Sequence, residues 1–289
     1  MLRWLVRRGV LRRGHGRLLS KLPGVWGGEV LEVQTDAGRM TLPVGESSSV
    51  GLLLHGRPVH EWRETLLVIE IARRESVLID IGAHYGWYSV AMAGASPSSE
   101  VLAFEPDPAT FRFLSTNLAR FPHASAYAAA LGASDGETTT LWRAPSRDLS
   151  STTRRVGEPV QVSLRSLDRI CTERGICPDF IKCDVEGSEL EVLRGATTIL
   201  ASRHPPIWML EVSRQFLSEA GHSDPDRDLR DMLFELSGGG EFWTQEQDGR
   251  PLRIESLDDV CGGNNIFFVP PTRKESFAVA ALALERRVR

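Results

Sequence analysis

One feature constrains this chain more than any other. A short apolar run carries an acid and breaks at once into a glycine turn: Val77-Leu78-Ile79-Asp80-Ile81, then Gly82-Ala83-His84-Tyr85-Gly86. So short a run, apolar on both faces, suits a strand buried inside a parallel sheet. Comparable runs recur at Glu100 to Phe104, Ala124 to Leu131, Phe180 to Cys183 and Ile207 to Leu210. Helical patterns at Ala109 to Arg120, Ser166 to Arg174 and Ser188 to Ser202 separate most of them. This alternation predicts a doubly wound, mainly parallel α/β sheet. Ser188, with Glu191 three residues on, reads as a capping box opening the last of those helices. Upstream, Glu29 to Gln34 and Arg39 to Pro43 flank Asp36-Ala37-Gly38 as a hairpin, and Glu61 to Arg74 has helical spacing. Downstream, Ser213 to Asp231 is polar, Glu241 to Gln247 and Asn265 to Val269 read as antiparallel edge strands, and Phe277 to Arg289 as a terminal helix.

Open α/β sheets bind ligands beyond the carboxyl ends of their strands, so the residues ending the first two strands carry most weight. The second strand ends Phe104-Glu105-Pro106-Asp107-Pro108. A dinucleotide fingerprint would need glycines two and five positions after Gly82, where the chain has His84 and Trp87. Asp80 would also set a carboxylate against a pyrophosphate. S-adenosylmethionine carries no phosphate and presents an ammonium and a sulfonium, so the same carboxylate becomes favourable. Glu105 stands where a carboxylate can accept both hydroxyl protons of an adenosine ribose.

Charge and cysteine usage narrow the field further. Lys and Arg number 34 against 38 acids, a net charge of −4, but residues 1–24 hold seven basic residues and no acid, leaving −11 for the remainder. A body so acidic argues against nucleic-acid partners. The basic head suits an arm making peripheral contact with an acidic membrane surface or an acidic protein face. Its apolar residues are cut by Arg7-Arg8, which excludes a signal peptide, and no stretch predicts a transmembrane segment. Cys171, Cys177, Cys183 and Cys261 show neither disulfide nor zinc spacing, as expected of a reducing, cytoplasmic compartment.

With these motifs in view, the chain resembles the FkbM family of S-adenosylmethionine-dependent methyltransferases. The resemblance rests on DIGAHYGWYS (80–89), FEPDP (104–108), DFIKCDVEGSELEVLRGA (179–196) and NNIFFVP (264–270), with Ser166-Leu167-Asp168 between them. It implies a Rossmann-like class I methyltransferase fold, with a seven-stranded, mainly parallel sheet and an antiparallel C-terminal strand. The corresponding division is a basic arm and β lead-in over 1–55, the methyltransferase domain over 56–272 and a C-terminal helix over 273–289. Asp80, Gly82, Ala83, His84 and Gly86 would then shape the methionine end of the cofactor pocket. Glu105, with Asp107 beside it, would hold the ribose, and Ala130 and Leu131 would lie against adenine. Asp135 is a weaker candidate for the adenine amino group, since Asp135-Gly136 is equally a plain turn. The family usually has Asn where this chain has His84.

The segment Lys182-Cys183-Asp184-Val185-Glu186-Gly187 ends the fourth strand and Glu211 ends the fifth. Alternation places Lys182 and Asp184 on one side and Cys183 on the other. Asp184, Glu186 and Glu211, with His84, are the candidate catalytic residues. The acids have three uses open to them: orienting the methionine ammonium, serving as general base, or binding a divalent metal, to which no ligand set is assigned. An ion pair from Lys182 to Asp184 or Glu211 is the purely structural alternative. His204 and His222 are weaker bases, outside any motif. The expected reaction is O-methylation of a small-molecule or carbohydrate hydroxyl. N-methylation, a nicotinamide enzyme of related fold and a non-catalytic S-adenosylmethionine-binding protein are the alternatives. Acceptor-facing residues are expected in loops, at Trp26, His55 to Trp62, Arg143 to Arg155 and Phe216 to Asp228.

Overall fold

Hydrophobic alternation decides where each strand lies. The computed structural model describes residues 30–44, 46–58, 61–136, 138–144, 149–246, 248–256 and 265–288. The basic head, Trp26, Cys261 and Asn264 lie outside the described residues. The chain begins with a hairpin of β1 (Val30–Thr35) and β2 (Gly38–Pro43), turned by Asp36 and Ala37. Two helices follow, α1 (Ser47–His55) and α2 (Trp62–Ala72). Strands and helices then alternate through β3 (Val77–Ile81), α3 (Trp87–Ala95), β4 (Glu100–Phe104), α4 (Pro108–Leu118) and β5 (Ala124–Tyr127). The run expected as one strand from Ala124 to Leu131 breaks after Tyr127, where the Ala129 amide donates back to the Tyr127 carbonyl at 3.1 Å. The chain thereby leaves the main sheet. It continues as β6 (Ala130–Leu131), β7 (Thr138–Arg143) and β8 (Glu158–Arg165), a separate three-stranded sheet ordered β6-β8-β7.

The second half supplies α5 (Leu167–Arg174), β9 (Phe180–Cys183), α6 (Glu189–Arg194), α7 (Thr197–Leu200) and β10 (Ile207–Glu211). The polar stretch after it holds two helices, α8 (Arg214–Glu219) and α9 (Pro225–Ser237), the latter capped by Asp224. The chain closes with β11 (Glu241–Gln245), β12 (Pro251–Ile254), β13 (Asn265–Val269) and α10 (Lys274–Val288).

The main sheet runs β12-β11-β13-β10-β9-β3-β4-β5, parallel from β10 to β5 and antiparallel from β10 to β12. This is the expected Rossmann-like class with eight strands rather than seven, because β12 extends the edge. β13 is an inner strand, buried at every position between β10 and β11. One core layer gathers Leu78, Phe180, Ile207, Met209 and Phe277; the other holds Ile79, Ile81, Ile181, Trp208 and Leu210. Neighbouring residues of β3, β9 and β10 thus divide between the two faces. The hairpin is tied in by Asn117 of α4, which accepts from the Thr41 amide (2.6 Å) and donates to the carbonyls of Thr41 (3.1 Å) and Tyr85 (2.8 Å). At about 1 kcal/mol net for each hydrogen bond, the buried amide fixes the lead-in against the glycine turn.

The expected capping box does not form. The Ser188 hydroxyl meets the hydroxyls of Thr152 (2.8 Å) and Thr153 (3.2 Å) instead of capping α6. The adjacent acid, Glu189, accepts from the loop amides of Val185 (3.3 Å) and Gly187 (3.2 Å). The helix expected from Ser188 to Ser202 divides at Gly195, where a side chain would place Cβ 2.0 Å from the Gly132 carbonyl oxygen. Asp168 then caps the second piece through the amides of Thr198 (2.8 Å) and Ile199 (3.0 Å), giving Ser166-Leu167-Asp168 a structural task.

Candidate active site

The strand order reverses at β3, with β4 and β5 on one side and β9 and β10 on the other. Beyond these carboxyl ends lies a cavity of about 560 Å³, at the switch point where ligands of open α/β sheets bind. Gly82, Ala83, His84, Glu105, Ala130 and Leu131 line one part of it. Glu61, Lys182, Asp184, Glu186 and Glu211 contribute to its lining as well.

The glycine turn is shaped by close approach. Gly82 has φ +74°, and a Cβ there would lie 1.7 Å from the Asp184 carbonyl oxygen, so the loops leaving β3 and β9 touch backbone to backbone. His84 also has positive φ (52°), a conformation in which His, like Asn, is enriched. Its amide donates to Glu105 Oε2 at 2.9 Å, and the Asp107 amide donates to Glu105 Oε1 at 2.8 Å. Glu105 therefore fastens both loops while each of its oxygens keeps a second acceptor direction. Burial pushes its carboxyl up to about 7, against the pull of those two amides.

Asp80, Gly86 and Asp107 stand apart from the lining. Asp80 is 1% exposed, and its Oδ2 accepts from the Ser89 hydroxyl. Its Oδ1 has no hydrogen-bond partner among the described residues. Burial raises its pKa, while Lys182, its register neighbour on β9, opposes the shift. Gly86 opens α3 against Leu114. Asp107 caps α4 through the Ala109 amide and makes a two-pronged ion pair with Arg143 (2.7 and 3.0 Å). Asp135 accepts from the Ser166 amide at 2.7 Å and from the Ser166 hydroxyl, holding a turn away from the cavity.

The second part of the site is dominated by charge. Lys182, 3% exposed, donates from Nζ to Asp184 Oδ2 at 2.7 Å and lies 5.1 Å above the Tyr88 ring. Burial works against its charge, but Asp184, Asp80, Glu61 and Glu211 together outweigh that penalty and raise its pKa. The structural ion pair is therefore present. Glu211 is pushed up to about 9, first by Asp184 and then by burial and Glu61, which together favour its neutral form. Glu186 adopts φ +54° at the loop's apex. Cys183 points into the opposite core layer. Among the described residues, no group of three or more His, Cys, Asp or Glu side chains is arranged to hold a metal ion.

Two acids matter here that the sequence did not single out. Glu61 lines the cavity and is pushed up to about 7, chiefly by burial, with Asp184 and Glu64 adding and Lys182 opposing. One residue ahead of a helix, it reads as an ordinary favourable charge at a helix start. Glu189, also about 7 through burial, holds the β9 exit loop. Of the loops expected to face an acceptor, Pro58, Glu61 and Leu149 to Thr152 reach the cavity, whereas Phe216 to Asp228 does not. His222 instead pairs with Asp228 at 3.2 Å, and neither it nor His204 lines the cavity.

A model of the methyltransferase FkbM domain matches residues 80–240, more than half of the chain, from within β3 to just past α9. The chain belongs to the FkbM methyltransferase family. This FkbM-family chain is 31% identical over 140 residues to the hexuronic acid methyltransferase AglP of Haloferax volcanii, a match covering 47% of this chain and 56% of AglP. The chain thus spans little more than half the length of that curated relative. Among solved structures, it is similar to the O-methyltransferase TomG of Streptomyces achromogenes (13% identity, TM-score 0.41, covering 76% of this chain and 84% of TomG). It is also similar to an S-adenosylmethionine-dependent O-methyltransferase of Thermotoga maritima (11% identity, TM-score 0.38, covering 83% and 76%).

The residues present fit the cofactor. A close-packed glycine turn and a buried carboxylate with spare acceptor capacity at the next strand end suit a cationic nucleoside far better than a phosphate. Among the described residues, no helix is long and apolar enough to cross a membrane.

Proposed function

We propose that this enzyme methylates a hydroxyl of a small molecule or carbohydrate, yielding an O-methyl product and S-adenosylhomocysteine. The observation that carries the reading is the division of a single cavity. Its β3–β4 end offers hydrogen-bond acceptors to a nucleoside, and its β9–β10 end gathers carboxyls around one buried ammonium. S-adenosylmethionine supplies an electrophilic methyl group on a sulfonium. The protein aligns the acceptor oxygen with it, about 3 Å from the reacting carbon, and manages the hydroxyl proton.

In this reading Glu105 accepts from the ribose hydroxyls, Gly82 and Ala83 admit the methionine portion, and Ala130 and Leu131 flank adenine. Asp184, held by Lys182, orients the methionine ammonium. Asp80 acts from beneath, fixing Ser89 and countering Lys182. His84, Glu186 and Glu211 stand on the acceptor side. The hexuronic acid substrate named for AglP supports a sugar acceptor here. The hydroxyl-bearing side chains of Ser150, Ser151, Thr152 and Ser188 in the lining support it as well, since hydroxyls both donate to and accept from a polyol.

Calorimetry with S-adenosylmethionine, S-adenosylhomocysteine and NAD tests the cofactor half. Both sulfur ligands are expected to bind and NAD is not. Incubation with a panel of methyl hexopyranosides and amino sugars, followed by detection of S-adenosylhomocysteine, tests the acceptor half. Turnover confined to amino sugars at nitrogen would replace the hydroxyl reading.

A further inference from the structure

The acid-rich part of the site has one member from outside the family-matched residues. Gly51, Leu52, Pro58 and Glu61 bring the segment ahead of residue 80 to the cavity, and Glu61 is the ionisable residue among these four. Around its carboxyl stand Lys182 of β9, Asp184 just beyond it, Glu211 at the end of β10, Glu64 of α2 and Tyr88 of α3. Most of these neighbours are already committed. Lys182 is held charged, Asp184 is engaged by Lys182 at 2.7 Å, and Asp184 and burial favour the neutral form of Glu211. Tyr88 keeps its phenolic proton, because burial, Glu61 and Glu64 all disfavour the phenolate.

We propose that Glu61 takes the proton of the acceptor hydroxyl, and that it gives up its own proton when the cationic methyl donor binds but not when the neutral product does. The inference rests on the O-methyl reading above. In the step, the acceptor oxygen forms a bond to the methyl carbon as the carbon–sulfur bond breaks and its electron pair stays on sulfur. The hydroxyl proton passes to the Glu61 carboxylate and then to solvent. The charge count supplies the coupling. Several carboxyls share one ammonium, so an added positive charge in the cavity favours ionisation of the group poised nearest neutrality.

The test is proton release on binding. Calorimetry of the full chain near pH 6.5, in buffers of different ionisation enthalpy, measures protons released by S-adenosylmethionine and, separately, by S-adenosylhomocysteine. Glu105 and Glu189 also titrate near 7, but both ligands carry the same adenosine and the difference between them cancels that share. Wild-type protein is expected to release roughly half a proton more with the donor than with the product. E61Q should lose that difference while binding S-adenosylhomocysteine within about threefold of wild type. E211Q should keep it, because the Glu61 carboxyl is left in place. E61A, which also removes the carboxyl, should lose it too and covers the case in which E61Q fails to fold, whereas E61D, which retains a carboxyl, should keep it. A difference that survives in E61Q, or vanishes only in E211Q, overturns the assignment to Glu61. Failure of wild-type protein to bind either ligand would instead overturn the proposed function.

Discussion

The two parts of the cavity are built on opposite principles. At the β3–β4 end the polar groups are held in place: Glu105 is fixed by two loop amides with acceptor capacity to spare, Asp107 caps α4 and pairs with Arg143, and Gly82 admits no side chain at all. At the β9–β10 end a single ammonium serves several carboxyls, and Glu61 and Glu211 are displaced upward as a result. One part is fixed by geometry and the other is left electrostatically incomplete. A rigid cradle beside an unsatisfied charge cluster suits a ligand that is positioned at one end and brings positive charge to the other.

The sharpest way to break this comparison is Gly82→Ala. The added Cβ meets the Asp184 carbonyl at 1.7 Å in a left-handed backbone, so the loss should exceed about 3 kcal/mol of stability or abolish S-adenosylhomocysteine binding outright. A urea melt and a binding isotherm read the two outcomes, and a variant that folds and binds normally would dissolve the backbone-contact argument.

Lys182→Met attacks the other part. It strands Asp184 and Asp80 without their cation, and about 3–5 kcal/mol should be lost at neutral pH. The loss should be smaller at pH 5, because burial raises the pKa of Asp80 and acid favours its neutral form, so urea midpoints at the two pH values check the charge argument separately from packing.

A gentler test uses pH alone. Glu61, Glu105 and Glu189 have folded-state pKa values near 7, and Glu211 near 9, all above the ordinary carboxyl value of 4.5. The folded state therefore holds these protons more tightly than the unfolded chain. Their stabilisation is complete below about pH 4.5 and is lost as pH rises through 7 and, for Glu211, through 9. Glu211→Gln should flatten the limb between pH 7 and 9, and an unchanged limb would mean that Glu211 titrates normally. The smallest effect belongs to Ser188→Ala. Because Ser188 bonds Thr152 and Thr153 rather than a helix amide, the change should cost under about 1 kcal/mol and leave α6 intact by circular dichroism.

The same contrast explains what could be read from the sequence. The β3–β4 cradle was legible because it is local: an apolar strand, an acid, two glycines and a second acid follow one another within about one βαβ unit. The parallel sheet was legible for a similar reason, since strands buried on both faces leave unbroken apolar runs. The charge cluster was only half legible. Asp184 and Glu211 stand at recognisable strand ends, but Glu61 reaches the site through the packing of α2 against α3 and α10, which no local pattern encodes. Ser188 misled for the opposite reason. Its spacing to Glu191 fits a capping box, yet the neighbouring hairpin brings Thr152 and Thr153 close enough to claim the hydroxyl.

The central claim, that Glu105 grips a cationic nucleoside across the sheet's switch point, is tested most directly by titrating S-adenosylmethionine into wild-type protein and Glu105→Gln. Losing charge-assisted hydrogen bonds to the ribose should weaken binding about ten- to a hundredfold with the fold preserved. Equal affinity in a folded variant would contradict the account.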